Sequence, residues 1–252
     1  MTDFRVLVLI AFRIGGLTLV APFFSNATIP RKVKIGMIFV LAAVVFPTVD
    51  RSGMIVPDNI AGYLAAVLAE TAIGALIGLI AALVFAAIQL GGFIAARQVG
   101  LAIAHVFDPM TRQRTSVVSQ VYFYIGLTIF LMMNGHHMLL QVLASSFQVV
   151  PLAGFKPNPE MASAIGMDMM GEVFVSAIRL SAPAVIALMM TTVVMAIIAR
   201  TVPEMNIFNI GFAVRLGVGL GVLTIGLPAV GAAMQGMFSR MEGNLRTLLE
   251  AL

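Results

Sequence analysis

Charged side chains are confined to short segments of this chain, and the stretches between them are long and apolar. Residues 71–96, 115–155, 180–199 and 216–239 contain no Asp, Glu, Lys or Arg. Each of these runs is close to or above the ~20 residues that a helix needs to cross a bilayer. Residues 14–30 and 35–49 are shorter apolar runs, bounded by Arg13, by the Arg31, Lys32 and Lys34 cluster and by Asp50–Arg51. They predict helices that are short, tilted or only partly lipid-facing. None of the runs alternates apolar with polar positions as a membrane barrel does, and backbone groups in hydrocarbon must otherwise be satisfied inside helices. The pattern therefore predicts an all-α integral membrane protein of six to eight apolar helices.

Helix breakers fall where these runs end: Asn26 and Pro30, Pro57, Asp108–Pro109, Asn134–Gly135, then Pro151, Pro157 and Pro159, and finally Pro203. Residues 151–168, which hold three of the prolines with Lys156 and Glu160, read as a loop-like joint. It divides the chain into a larger part, 1–168, and a two-helix hairpin, 169–252, with arms at 169–199 and 207–237 about a turn at 200–206. Gly74 and Gly78 form a GxxxG, while Gly217, Gly219, Gly221 and Gly226 crowd the last long run. Small side chains let helix backbones approach in lipid, so Gly74, Gly78, Gly217 and Gly221 are the expected packing positions. The stretch between Arg5 and Arg13 is short and no small-residue cleavage site follows it, so it reads as the first helix of the mature protein and not as a signal peptide.

Of the 252 residues 60% are hydrophobic and 10% charged, with a mean hydropathy of +1.05. A soluble domain carries charge at about a quarter of its positions, so lipid or partner protein must cover the remaining surface here. The lack of cysteine removes disulfides, thiolate chemistry and most zinc sites. The net charge of +4 sits mainly in connecting segments, where membrane proteins keep cytoplasmic Lys and Arg, which argues against nucleic-acid binding. By the same rule Arg31, Lys32, Lys34, Arg97, Arg112 and Arg114 are expected on the cytoplasmic side.

An ionisable group inside an apolar run is the usual pointer to function in a membrane. The candidates are Glu70, Arg179 and Arg215, with Arg13 and Arg97 at helix ends. Glu70 stands at the start of its run, where a carboxylate near a helix N-terminus is favoured by the dipole, so a structural role and an ion path are both open. Arg215 can snorkel, or face a partner or an aqueous lumen. His136 and His137 are adjacent, point apart and lack a carboxylate or thiolate to complete a metal shell, and His105 is isolated. GVGLG at 217–221 lies inside an apolar helix with no preceding strand, which argues against a dinucleotide loop. With no nucleophile and base, phosphate loop or carboxylate pair at useful spacing, no catalytic residue, cofactor or metal is expected.

The segment that departs from a plain bundle is GGFIAARQVGLAIAHVFDPMTRQRTS, 91–116. Gly91, Gly92 and Gly100 are expected to loosen its helix and Asp108–Pro109 to stop it. Irregular backbone of this kind either forms a surface connection or lines a water-filled cavity. A competing functional class is a secondary transporter or permease that binds ions or substrate at Glu70, Arg179 and Arg215, though no inverted repeat accompanies it. A membrane-embedded enzyme has no candidate residues.

Four blocks, in order and at similar spacing, resemble the FliR family: APFFSNATIPRKVKIG (21–36), RQVGLAIAHVFDP (97–109), NGHH (134–137) and PEMNIFNIGF (203–212). The resemblance covers nearly the whole chain. The SctT-type injectisome subunit shares the architecture but differs in the glutamine–glycine segment, so Gln98–Gly100 places the resemblance on the flagellar side. It implies a single-copy subunit of a flagellar type III export gate in the bacterial inner membrane, at the flagellar basal body. FliP-like and FliQ-like subunits would assemble with it, and an FlhB-like subunit would surround the closed cytoplasmic mouth. Unfolded flagellar proteins would pass through, with energy supplied elsewhere. Residues 1–168 would take a FliP-like fold, and 169–252 would form a FliQ-like hairpin with its turn on the cytoplasmic side. The middle loop, about 106–116, would plug the channel through Val106, Phe107, Asp108, Pro109, Met110, Thr111, Arg112, Gln113 and Arg114. Such assemblies form a cone largely raised out of the bilayer, so apolar runs there signify burial against partners as well as lipid. The 18 methionines suit irregular interfaces of that kind.

Overall fold

The charge-free runs fold as helices, and most of their ends fall at residues whose backbone chemistry stops a helix. The structure, a computed structural model, describes residues 2–26, 28–49, 57, 59–100, 116–154, 159–202 and 207–251, and among these there is no strand. The chain opens with α1 (Thr2–Val20), the four-residue α2 (Pro22–Ser25) and α3 (Arg31–Val45), which a 3-10 turn over Phe46–Thr48 prolongs. Then follow α4 (Ile60–Val99), α5 (Val117–Met132), α6 (Gly135–Val149), α7 (Pro159–Thr201), α8 (Ile207–Ile225) and α9 (Leu227–Ala251). Among the described residues two helices, Ile60–Val99 and Gly166–Thr201, are long and apolar enough to cross a membrane, or up to four spans if the bent pairs α5–α6 and α8–α9 each count as one.

Local chemistry explains the stops. Gly100, at φ 90°, ends α4 in the left-handed region that glycine enters without steric cost. Ser116 precedes α5, and its Oγ accepts the Ser119 N–H at 3.1 Å, a side-chain cap on the first turn. Asn134, at φ 56°, separates α5 from α6 where the Asn–Gly pair predicts a break.

Several expectations differ. Gly91 and Gly92 do not loosen α4, which runs unbroken through them; satisfying the backbone in an apolar setting outweighs glycine's deficit of ~1 kcal/mol in helix propensity. Residues 151–168 are not loop throughout, because α7 is already helical from Pro159, a residue suited to a first helical position where its missing N–H has no partner. The 14–30 run is not one helix but the end of α1, then α2 and a turn held by the Asn26 side chain accepting the Thr28 N–H. The last apolar run breaks at Gly226, with a 55° bend between α8 and α9. Pro228 has no N–H to return to the preceding turn, which frees a carbonyl and bends the helix there.

Two compact units form, and neither is contiguous in sequence. The first comprises Met1–Val84, Phe130–Met170 and Phe238–Leu252, the second Phe85–Ile129 and Gly171–Met237. The first unit buries Leu9, Ile10, Ile14 and Leu17 of α1, Ile73, Ile77 and Ile80 of α4, and Leu139 and Leu143 of α6. The amphipathic end of α9 adds Met241 and Leu245, with Phe238 set 5.4 Å from the Phe130 ring. The second unit buries Phe85 and Ile88 of α4, Tyr122 of α5, Leu180, Ala184 and Leu188 of α7, and Met234 of α9.

Small residues set how closely the backbones approach. A Cβ at Gly74 would collide with the carbonyl oxygen of Arg13, one at Gly78 would come within 3.0 Å of Leu17 O, and one at Gly16 would strike Thr71 O. Helices α1 and α4 thus touch backbone to backbone. In the second unit Gly92 lies against Ser119 Cα, where a Cβ would stand 2.8 Å away. Gly217 and Gly221 have nothing within 4 Å among the described residues, while Gly219 between them meets the Val99 side chain. Gly74→Ala is therefore expected to force α1 from α4 and lower the melting temperature by several degrees. Gly217→Ala and Gly221→Ala lie outside that seam, in the second unit, and should leave the melting of the first unit unchanged. Equal melting of all three variants would show that the α1–α4 seam is not tight.

Candidate functional site

Two charges sit inside the α1–α4 seam. Arg13 and Glu70 are each 0% exposed, and Arg13 Nε donates to Glu70 Oε2 at 2.5 Å. The rest of the guanidinium reaches the end of α6: Nη1 donates to Ser146 O at 2.9 Å and to Ser146 Oγ at 3.2 Å, and Nη2 donates to Val150 O at 3.1 Å. Its Cζ lies 4.4 Å over the Phe147 ring. Glu70 Oε1 accepts the N–H of Ala153 at 2.9 Å, a residue held at φ 60°. Ser146 O also accepts the Val150 N–H that closes α6, and a cation beside a helix C-terminus is favoured by the dipole. One buried ion pair thereby ties α1 and α4 to the end of α6 and the turn beyond it.

The sequence reading sets Arg13 at a helix end and Glu70 beside a helix N-terminus, and the structure corrects both. Arg13 is interior because α1 already begins at Thr2, and Glu70 is well inside α4, which begins at Ile60. The partner that stabilises Glu70 is a guanidinium 57 positions away, and not a helix dipole. Burying either charge alone costs several kcal/mol, so this pairing carries a structural explanation for both. Both Glu70 oxygens have partners within the protein, so this carboxylate has a structural account that needs no transported ion.

The other charged candidates are placed differently. Arg97 is exposed in the last turn of α4, with its Cζ 5.6 Å over the Phe93 ring. Arg179 is exposed on α7 and Arg215 is half-buried on α8, both in the second unit, and neither forms an ion pair among the described residues. The His136 ring lies 6.0 Å from that of Phe23, and among the described residues no three His, Asp or Glu side chains gather as a metal site requires. A recess of about 170 Å3 is lined by Gln89, Ser119, Gln120, Phe123 and Tyr124, with no charged group among them. Val106, Phe107, Asp108, Pro109, Met110, Thr111, Arg112, Gln113 and Arg114 lie outside the described residues, as does His105. Their flanks are described: Gly100 closes the preceding helix and the buried Ser116 caps the following one.

Hydropathy alone did not reveal how bare α7 is. Its most apolar window is only 17% buried, against 50% for α4. Phe174, Ile178, Ile186, Met190 and Val194 are all more than half exposed. At roughly 1.5 Å per residue a helix of 43 residues extends about 64 Å, twice the ~30 Å hydrocarbon core. The exposed apolar residues from Phe174 to Val194 span about 30 Å of that length, so lipid or a neighbouring protein has to cover them.

Clasped helices in the first unit and uncovered apolar faces on α7 are the features to set against known sequences. The chain matches the model of the bacterial export proteins, family 1, over residues 4–241, from α1 into α9. It is 29% identical over 248 residues to the flagellar biosynthetic protein FliR of Bacillus subtilis, covering 98% of this chain and 95% of that one. The FliR of Escherichia coli is 25% identical over 241 residues, with 95% and 91% covered. That of Aquifex aeolicus is 27% identical over 240 residues, with 94% and 91% covered. On a match that takes in nearly every helix, the chain belongs to the bacterial export proteins of family 1, the FliR family.

Proposed function

We propose that this chain is a structural and gating subunit of the flagellar type III export gate, set in the bacterial inner membrane at the flagellar basal body. The relatives are named for flagellar biosynthesis, and the observation that carries the subunit role is the bare apolar length of α7. FliP-like and FliQ-like subunits cover that surface and complete a channel for unfolded flagellar proteins, and an FlhB-like subunit surrounds its mouth. Residues 1–168 act as the FliP-like part and 169–252 as the FliQ-like hairpin. Gly217 and Gly221, which meet nothing among the described residues, supply a close-packing face for a neighbouring helix. The loop at 106–116 plugs the channel, and the chain performs no covalent chemistry of its own.

Expression with and without those subunits tests this reading. Alone, the solubilised chain should aggregate, because large apolar faces without partners associate indiscriminately. With FliP-like and FliQ-like subunits it should elute as one stable hetero-complex, identified by native mass. A monodisperse lone chain with a sharp thermal transition would overturn the subunit role, and a stable homo-oligomer would return the transporter reading.

A further inference from the structure

The first turn of α3 carries three cations and no anion. Arg31, Lys32 and Lys34 begin this helix, Pro30 gives it no side-chain cap, and its first turn holds no acidic residue. Positive charge at that end opposes the helix dipole, so the placement works against the stability of the chain itself. Among the described residues nothing offsets it: Arg31 and Lys32 are exposed, Lys34 is half-buried, and none forms an ion pair there. Amid and beyond these charges the same helix exposes Val33, Ile35, Phe39, Val40 and Val44, each by more than half.

Along the axis, therefore, charge comes first and apolar surface follows directly. From Ile35 to Val44 the helix rises about 15 Å, the depth of hydrocarbon in one leaflet. An acidic protein would neutralise the cations but would also have to offer an apolar patch in the next turns. Free phosphate would satisfy the charge alone. A phospholipid presents phosphate and then acyl chain in that order. We propose that the Arg31, Lys32 and Lys34 turn, with the exposed face of α3, forms a binding surface for an anionic phospholipid, headgroup on the cations and acyl chain along Val33 to Val44. The assignment needs only that the chain lies in a membrane, and it stands or falls apart from the export role.

The full chain, purified with whatever subunits it holds, is equilibrated with equal amounts of phosphatidylglycerol and phosphatidylcholine, and retained lipid is counted by native mass spectrometry. Three cations at ~1 kcal/mol each convert to a preference on the order of a hundredfold for the anionic lipid. R31Q/K32Q/K34Q should lose about tenfold or more of that preference, R31Q alone a smaller part, and R31K, which keeps the charge, little. R240Q/R246Q, which removes two exposed cations from α9, should leave the ratio intact, and thermal unfolding should confirm that each variant is folded. An unchanged ratio in the triple variant, or an equal loss in R240Q/R246Q, overturns the proposal. Displacement of the lipid by inorganic phosphate, or loss of a protein subunit with the lipid ratio intact, also overturns it, and would reassign the cations to a free anion or to an acidic partner.

Discussion

Arg13→Ala is expected to unfold the first unit, and Glu70→Ala to do nearly as much. Removing one member leaves the other charge buried at 0% exposure, a loss of roughly 3–5 kcal/mol. The alanine at 13 also strips the Nη2 donor from Val150 O, at ~1 kcal/mol or more for a buried carbonyl left open, while Ser146 O keeps the Val150 N–H. Such a sum is comparable with the whole stability of a domain, about 5–15 kcal/mol. Arg13→Lys should fall between, since one ammonium cannot reach Glu70, Ser146 and Val150 with the fan of a guanidinium. Arg13→Met combined with Glu70→Leu should recover part of the loss, because no charge stays unpaired. Recovery stays incomplete while the Ala153 N–H that Glu70 accepts has no acceptor. Arg179→Ala and Arg215→Ala, at exposed and half-buried positions without ion pairs, should shift stability by no more than ~0.5 kcal/mol. Thermal unfolding of the purified complex ranks these variants, and wild-type melting of Arg13→Ala would show that the pair is not what clasps α1, α4 and α6 together.

That pair also marks where sequence reasoning stops. The long apolar helices announce themselves by composition, and Asn134–Gly135 and Gly100 announce two of the breaks, because glycine and asparagine enter the left-handed region that ends a helix. The partner of a buried charge is a tertiary fact. Arg13 and Glu70 lie on different helices 57 positions apart, and no spacing rule on one helix joins them. Glycine clusters were half legible for a related reason. GxxxG states that a backbone can be approached and not what approaches it, so Gly74 and Gly78 have α1 against them while Gly217 and Gly221 have nothing against them among the described residues. The break at Gly226 stayed hidden because no charge interrupts that run, although Pro228 carries the physical cause. The bareness of α7 was out of reach altogether, since hydropathy does not distinguish a helix covered by its own chain from one left for a neighbour.

Replacing residues 106–115 with a flexible Gly-Ser linker is expected to leave assembly intact and to open the closed channel to ions. The two flanking helices hold their ends without the segment. Helix α4 stops on a left-handed Gly100, and α5 starts on a Ser116 whose Oγ accepts the Ser119 N–H. The plug proposed over 106–116 therefore has to be cut at 115, because losing the Ser116 cap would cost about 1 kcal/mol at the start of α5 and blur the outcome. What the exchange removes is a proline-stopped stretch with Asp108, Arg112 and Arg114. If it lies in the channel, it blocks the path sterically, and its two arginines add an electrostatic barrier to cations, as charged rings do in other pores. R112Q/R114Q should then leave the steric block and raise cation leakage less than the full exchange does. Conductance of the purified complex across a planar bilayer, compared among wild type, R112Q/R114Q and the linker variant, reads the effect directly. A linker variant that assembles normally and conducts no more than wild type makes this segment a connecting loop and removes the gate from it.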